Sequence, residues 1–118
     1  MAAPNIVNIT TMTGKTAVSL LTTVTSNVIT NSSGSSTVDK LNDVILCNYS
    51  SSTVTANVMI NRSATVYYLG GTVSIPANST LTLLGKDTTV YLEEGDVLQA
   101  NVSANSSVSM TASYEIIS

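Results

Sequence analysis

The chain predicts an all-β, single-domain antiparallel β-sandwich, of jelly-roll or immunoglobulin-like type, with little or no helix. Three observations carry that expectation. The bulk of the chain is 14 Val, 10 Leu, 8 Ile and 18 Thr, residue types that suit a pleated surface. Apolar and polar residues alternate with a period of two in several segments. Turn-forming residues recur at spacings near ten residues, the rhythm of short strands joined by turns.

The clearest strand is the last, where Val108, Met110, Ala112, Tyr114 and Ile116 alternate with Ser107, Ser109, Thr111, Ser113 and Glu115. A second is Val54, Ala56, Val58 and Ile60, alternating with Thr53, Thr55, Asn57, Met59 and Asn61. Shorter versions follow at Val73/Ile75, Leu81/Leu83, Val90/Leu92 and Leu98/Ala100/Val102. The breaks between them are Ser50 to Ser52, Gly70-Gly71 (read as a hairpin turn), Pro76-Ala77-Asn78, Gly85-Lys86-Asp87, Glu94-Gly95-Asp96 and Asn105-Ser106. No window of a dozen residues keeps a helical period, and Val38 to Asp43 offers one helical turn at most. Asn31 to Thr37 is low-complexity and polar and reads as a mobile loop.

With 118 residues the chain has material for one core. Residues 1–14 form an N-terminal arm or edge strand in this reading, and 15–118 the sandwich. Ile6, Val7 and Ile9 are the arm's candidate interaction residues, because an extended arm can complete the sheet edge of a neighbouring copy.

Composition narrows the function. There is no His, no Trp and no Phe, and 18 Thr, 18 Ser and 11 Asn dominate the polar positions. Nucleophilic catalysis needs a positioned base beside Ser, Thr or Cys, and this chain offers no imidazole for that role, so no catalytic residue and no enzyme activity is expected. One cysteine, Cys47, excludes an intrachain disulfide and reads as a small core residue in the run Val44-Ile45-Leu46-Cys47. Zinc is not expected, and no cofactor is. The acidic turn Glu93, Glu94 and Asp96 supplies hard oxygens and is the one weak calcium candidate, with a solvated turn as the plainer explanation.

A net charge of -3 with Lys15, Lys40, Arg62 and Lys86 scattered argues against nucleic-acid binding. No apolar run approaches the roughly 18 residues of a membrane span, and Met-Ala-Ala-Pro-Asn does not open like a secretory signal. Asn-X-Ser/Thr sequons begin at Asn8, Asn31, Asn48, Asn61, Asn78, Asn101 and Asn105, which the abundance of Ser and Thr explains better than glycosylation does. Only 9% of residues are charged, against about 25% in an ordinary domain, so copies repel one another weakly.

Three segments carry a family resemblance: Val73-Ser74-Ile75-Pro76-Ala77-Asn78-Ser79-Thr80-Leu81-Thr82-Leu83, Val90-Tyr91-Leu92-Glu93-Glu94-Gly95-Asp96-Val97-Leu98, and Ala112-Ser113-Tyr114-Glu115-Ile116, with a looser match at Asn5-Ile6-Val7-Asn8 and Gly14-Lys15-Thr16. The pattern resembles small virion structural proteins of tailed bacteriophages, cyanophages among them, which serve as head-decoration or neck and tail accessory subunits. The resemblance implies a non-enzymatic capsid decoration (cement) subunit that contacts the major capsid protein or other virion subunits, assembles as a homo-oligomer with a trimer favoured, and resides in the virion after assembly in the host cytoplasm. A neck, tail or fibre-base component is the alternative within that class. From another class comes a carbohydrate-binding or adhesion module, to which Tyr67, Tyr68 and Tyr91 would offer stacking faces.

Overall fold

The computed structural model describes residues 11–85 and 88–118. The proposed arm residues Ile6, Val7 and Ile9 lie outside them. Among the described residues there is no helix, and nine strands run in chain order: β1 (Met12–Leu20), β2 (Ser26–Thr30), β3 (Val38–Asn48), β4 (Val54–Arg62), β5 (Thr65–Ile75), β6 (Ser79–Leu84), β7 (Val90–Leu92), β8 (Val97–Val102) and β9 (Val108–Ile117).

One sheet has the order β1-β9-β3-β6, with β7 also on β3, and the other has the order β2-β8-β4-β5. Every pairing is antiparallel, and the pairs nest: β1 with β9, β2 with β8, β3 with β6 and β7, β4 with β5. That nesting is one long hairpin rolled over itself into two sheets, which is the jelly roll and not the immunoglobulin arrangement. The edge strand beside β3 is split, β6 pairing with Val44–Asn48 and β7 with Asp39–Leu41.

The core between the sheets is aliphatic. Leu41, Val44 and Leu46 of β3 meet Met110 and Ala112 of β9 on one side, and Val54, Ala56, Val58, Leu98, Ala100 and Val102 come from the other sheet. Period two carries the burial wherever a strand is regular: Val108, Met110 and Ala112 are buried while Ser109, Thr111 and Ser113 are half-buried. Tyr114 packs half-buried against the cluster, the one aromatic side chain to do so among the described residues.

Three local expectations are corrected. Val38 to Asp43 belongs to β3, and a bulge at Asn42, between the pairs Leu41↔Tyr114 and Asp43↔Ser113, lets Leu41 and Val44 face inward three residues apart. That spacing is what imitates a helical turn. Gly70-Gly71 is no hairpin turn: it lies inside β5, where two register shifts against β4 insert extra residues. A Cβ on Gly70 would come to 3.0 Å from Leu83 Cδ1 and 3.1 Å from Val73 Cγ2, so a larger residue there would push those side chains aside where β5 approaches β6. The hairpin turn is instead Ser63-Ala64, both with positive φ (52° and 63°), the conformation of a type I′ turn. Cys47 is half-buried and not a core residue, because Leu46 beside it takes the inward position.

Candidate functional site

The loops gather at the two ends of the barrel-like roll. One end holds the β2–β3 loop, the β4–β5 turn and the β7–β8 turn; the other holds the β1–β2, β3–β4, β5–β6 and β8–β9 connections.

At the first end Arg62, the last residue of β4, reaches the acidic turn. Its Nε donates to Asp96 Oδ1 at 2.8 Å and its Nη2 to Asp96 Oδ2 at 2.5 Å, a two-pronged contact, and Nη2 also donates to Glu93 Oε2 at 3.1 Å. Asp96 is 1% exposed, and its Oδ2 also accepts from the Glu93 backbone N–H at 2.8 Å. Burial by itself would raise the Asp96 carboxyl, but the hydrogen bonds from Arg62 and the Glu93 amide, with the guanidinium charge, outweigh it and hold it below its ordinary value of 3.8. The Arg62 guanidinium is pushed upward in turn, chiefly by its hydrogen bond to Asp96.

The three acidic residues singled out for calcium therefore have other occupations. Asp96 and Glu93 hold Arg62, and Glu94 Oε2 accepts the Ser36 backbone N–H at 2.8 Å. Among the described residues no group of three metal-binding side chains comes together. The turn is a structural latch, with Gly95 at positive φ closing it.

The β2–β3 loop, expected to be mobile, is stitched down around Asn31. This residue is 3% exposed; its Nδ2 donates to the Thr37 carbonyl at 3.0 Å and the Leu92 carbonyl at 2.9 Å, while its Oδ1 accepts from Ser35 Oγ at 2.6 Å and Thr37 Oγ1 at 3.2 Å. At the opposite end Asn48 does the same work. Fully buried, it donates to the carbonyls of Ser52, Ile75 and Pro76 and accepts from the Ser50 N–H and hydroxyl. A side-chain amide that accepts from the residue two ahead is an Asx turn, which explains an Asn-X-Ser spacing without any sugar. Two of the seven sequons are thus interior plugs.

No family model matches this chain, and no curated protein does.

Three further features bear on what the molecule can do. On the sheet of β2, β8, β4 and β5, an amide chain crosses three strands: Asn101 Nδ2 donates to Thr25 Oγ1, Asn57 Nδ2 to Asn101 Oδ1, and the Thr72 N–H to Asn57 Oδ1, at 2.7 to 2.9 Å. The last bond satisfies an amide that the β5 bulge removes from the ladder, and Thr72 has a φ of 50°. In the other sheet, Asp39 is buried and its carboxyl is pushed up to about 6 by desolvation, only partly offset by the charge of Lys15. Tyr114 is raised as well, by burial first and by Asp39 second.

The third feature is the distribution of exposed apolar side chains. Val18 and Leu20 of β1 are 76% and 71% exposed, and a hollow of 360 Å³ lies along them, walled also by Ser109 and Thr111. On the other side of the molecule Tyr67 of β5 and Tyr91 of β7 share a groove of 380 Å³ with Ile60, Arg62 and Val90. Neither the Arg62–Asp96 pair nor the meeting of Tyr67 and Tyr91 is visible in the sequence, since 34 residues separate the first two and the second two sit on different sheets.

Proposed function

We propose that this chain is a non-enzymatic virion structural subunit of a tailed phage, a capsid decoration protein that stabilises the shell by binding its major capsid protein in many copies. The neck, tail or fibre-base role remains the alternative within the class.

The observation that supports this reading best is the contrast among the four sheet edges. A sheet edge left regular invites another strand, and proteins that stay alone blunt their edges with bulges, charges or short strands. Here β2 has five residues and a register shift between Asn27 and Ile29. The edge at β5 carries two shifts, and the edge at β6 and β7 carries one and is interrupted between Leu84 and Val90. Against these, β1 pairs with β9 over nine consecutive residues, from Met12↔Ile117 to Leu20↔Ser109, without a shift. It contains no proline, one charge at Lys15, and the exposed Val18 and Leu20. Among the described residues nothing pairs with its other side. An edge of this kind fits a second copy of the chain, which makes a small homo-oligomer, the trimer of the sequence reading, the unit that docks on the capsid.

Sparse charge supports the same reading, because close packing of subunits then strips water from few ions, a cost of several kcal/mol for each one left unpaired. Light scattering of the purified protein tests it together with Val18→Asp and Leu20→Asp. The wild type is expected as an oligomer and the double variant as a folded monomer; a wild type that stays monomeric at high micromolar concentration contradicts the reading.

A further inference from the structure

The groove shared by Tyr67 and Tyr91 lies on the side of the roll away from β1, where the β5 edge of one sheet faces the β7 edge of the other. Its walls are Ile60 and Val90, both packed on the core and so fixed in place, the two phenol rings, and the Arg62 guanidinium. Tyr67 is 57% exposed and Tyr91 37%, in a chain that has no Phe and no Trp to spare for its core. Two exposed aromatic rings that converge on one concavity supply the flat apolar faces that ligand recognition uses.

The electrostatics decide what kind of ligand fits. Arg62 is held by Asp96 through Nε and Nη2, so its plane is set before any ligand arrives. Its charge is already matched by Asp96 and exceeded once Glu93 is counted, which makes the rim net negative and unfavourable to phosphates, sulfates and carboxylates. What remains is a site with two aromatic faces, an oriented guanidinium whose charge is more than offset by its carboxylate partners, and a volume near the lower end of ordinary small-molecule pockets, about 300–1,000 Å³. A pyranose has the complementary chemistry: a C–H face that lies on an aromatic ring, and a rim of hydroxyls that can accept from Arg62 and exchange hydrogen bonds with the tyrosine hydroxyls.

The geometry points to a binding site for a neutral saccharide of one or two rings, with Tyr67 and Tyr91 as stacking faces and Arg62 as the hydroxyl partner. This goes beyond the proposed virion role and does not depend on it, because the groove and the β1 edge are on different sides of the molecule. In a subunit displayed on a particle surface it would supply a second, outward-facing contact to a glycan-coated surface.

The test uses the full chain and two-dimensional amide NMR, titrated with maltotriose, cellotriose and N,N′-diacetylchitobiose as neutral probes and 3′-sialyllactose as the anionic one. At least one neutral probe is expected to shift the amides around Tyr67, Tyr91 and Arg62 with a Kd on the order of 1 mM or tighter. Tyr67→Ala and Tyr91→Ala, both exposed positions that leave the core intact, are each expected to weaken that binding at least about tenfold. Tyr68→Ala, whose ring is 63% exposed but does not line the groove, is expected to leave it unchanged. Arg62→Lys keeps the charge but loses the fork and is expected to weaken binding while the protein stays folded. Absence of any shift with all three neutral sugars at about 10 mM overturns the inference, as does tighter binding of the anionic sugar. Shifts confined to this groove that depend on protein concentration and not on sugar would assign it to a protein contact and overturn the inference as well.

Discussion

Replacing Asp39 with Asn should make the protein more stable at neutral pH and remove most of the pH dependence of stability between pH 4 and 7. Asp39 is buried in β3, and its carboxyl is pushed from 3.8 up to about 6 by desolvation. A carboxyl with a higher folded than unfolded pKa binds its proton more tightly in the native state. Its effect is therefore to destabilise the fold as pH rises through that window, and to cost nothing below about pH 4, where it is protonated in both states. The shift is about 2 units, worth about 3 kcal/mol at 1.36 kcal/mol per unit, as an upper figure because Lys15 and water at the sheet edge respond to the change. The window is clean: with no His in the chain, no other side chain titrates between about pH 5 and 7 at its ordinary pKa. Urea unfolding at pH 5 and pH 7.5 reads the effect: about 1.4 kcal/mol of it develops between those two pH values, so with an m-value of about 1–3 kcal/mol/M the wild-type midpoint should fall by roughly 0.5–1.4 M on going to the higher pH. Asp39→Asn should show a nearly level midpoint across the same range, above the wild type at pH 7.5. A variant whose midpoint tracks the wild type at both pH values, or which is less stable at pH 7.5, would refute the reasoning.

The other predictions concern the latch, the plug and the strand faces. Arg62→Leu leaves the Asp96 carboxylate buried without its partner and should cost about 3–5 kcal/mol, read as a fall in thermal midpoint, whereas Glu93→Gln should cost less than about 1 kcal/mol since that contact is exposed. The wild-type latch should weaken as pH falls through the depressed Asp96 pKa, so acid unfolding should begin below pH 4, and a Asp96→Asn variant should lose that acid limb in circular dichroism. Asn48→Ala deprives three carbonyls of their donor in a fully buried place and should cost about 2–4 kcal/mol in denaturant unfolding, with Asn105→Ala, an exposed asparagine, well below it. Met110→Asp should prevent soluble expression and Thr111→Asp should not, because β9 alternates and Met110 is fully buried; equal solubility would show the faces reversed.

Much of the fold is legible because period two survives in long strands. In β8 and β9, Leu98, Ala100, Val102, Val108, Met110 and Ala112 are an unbroken alternation, and all six are buried. What the sequence hides is where alternation is interrupted. The bulge at Asn42 converts a two-residue period into a three-residue one, and the shifts around Gly70 put a glycine pair inside a strand, where it reads as a turn. The actual β4–β5 turn is Ser63-Ala64, which lacks the Asn-Gly signature that positive φ at both positions usually brings. Buried polar groups are equally hard to read. Asn31 and Asn48 sit in stretches of Ser and Asn that look solvent-facing, and only the carbonyls of Leu92, Ile75 and Pro76, brought from distant strands, explain their burial. Of the candidate sites, the three tyrosines are recognisable as stacking faces from sequence alone, but the choice of Tyr67 and Tyr91 over Tyr68, and the part played by Arg62, depends on β5 and β7 facing each other across the groove.

The central claim is that β1 is an assembly edge of a particle-bound jelly roll. A cryo-EM reconstruction of the intact phage particle tests it most directly. The account predicts density for this fold on the virion, with β1 continued by a strand from an adjoining subunit. Particles that lack the chain altogether, or that hold it with β1 exposed to solvent and no neighbour along it, would contradict the account.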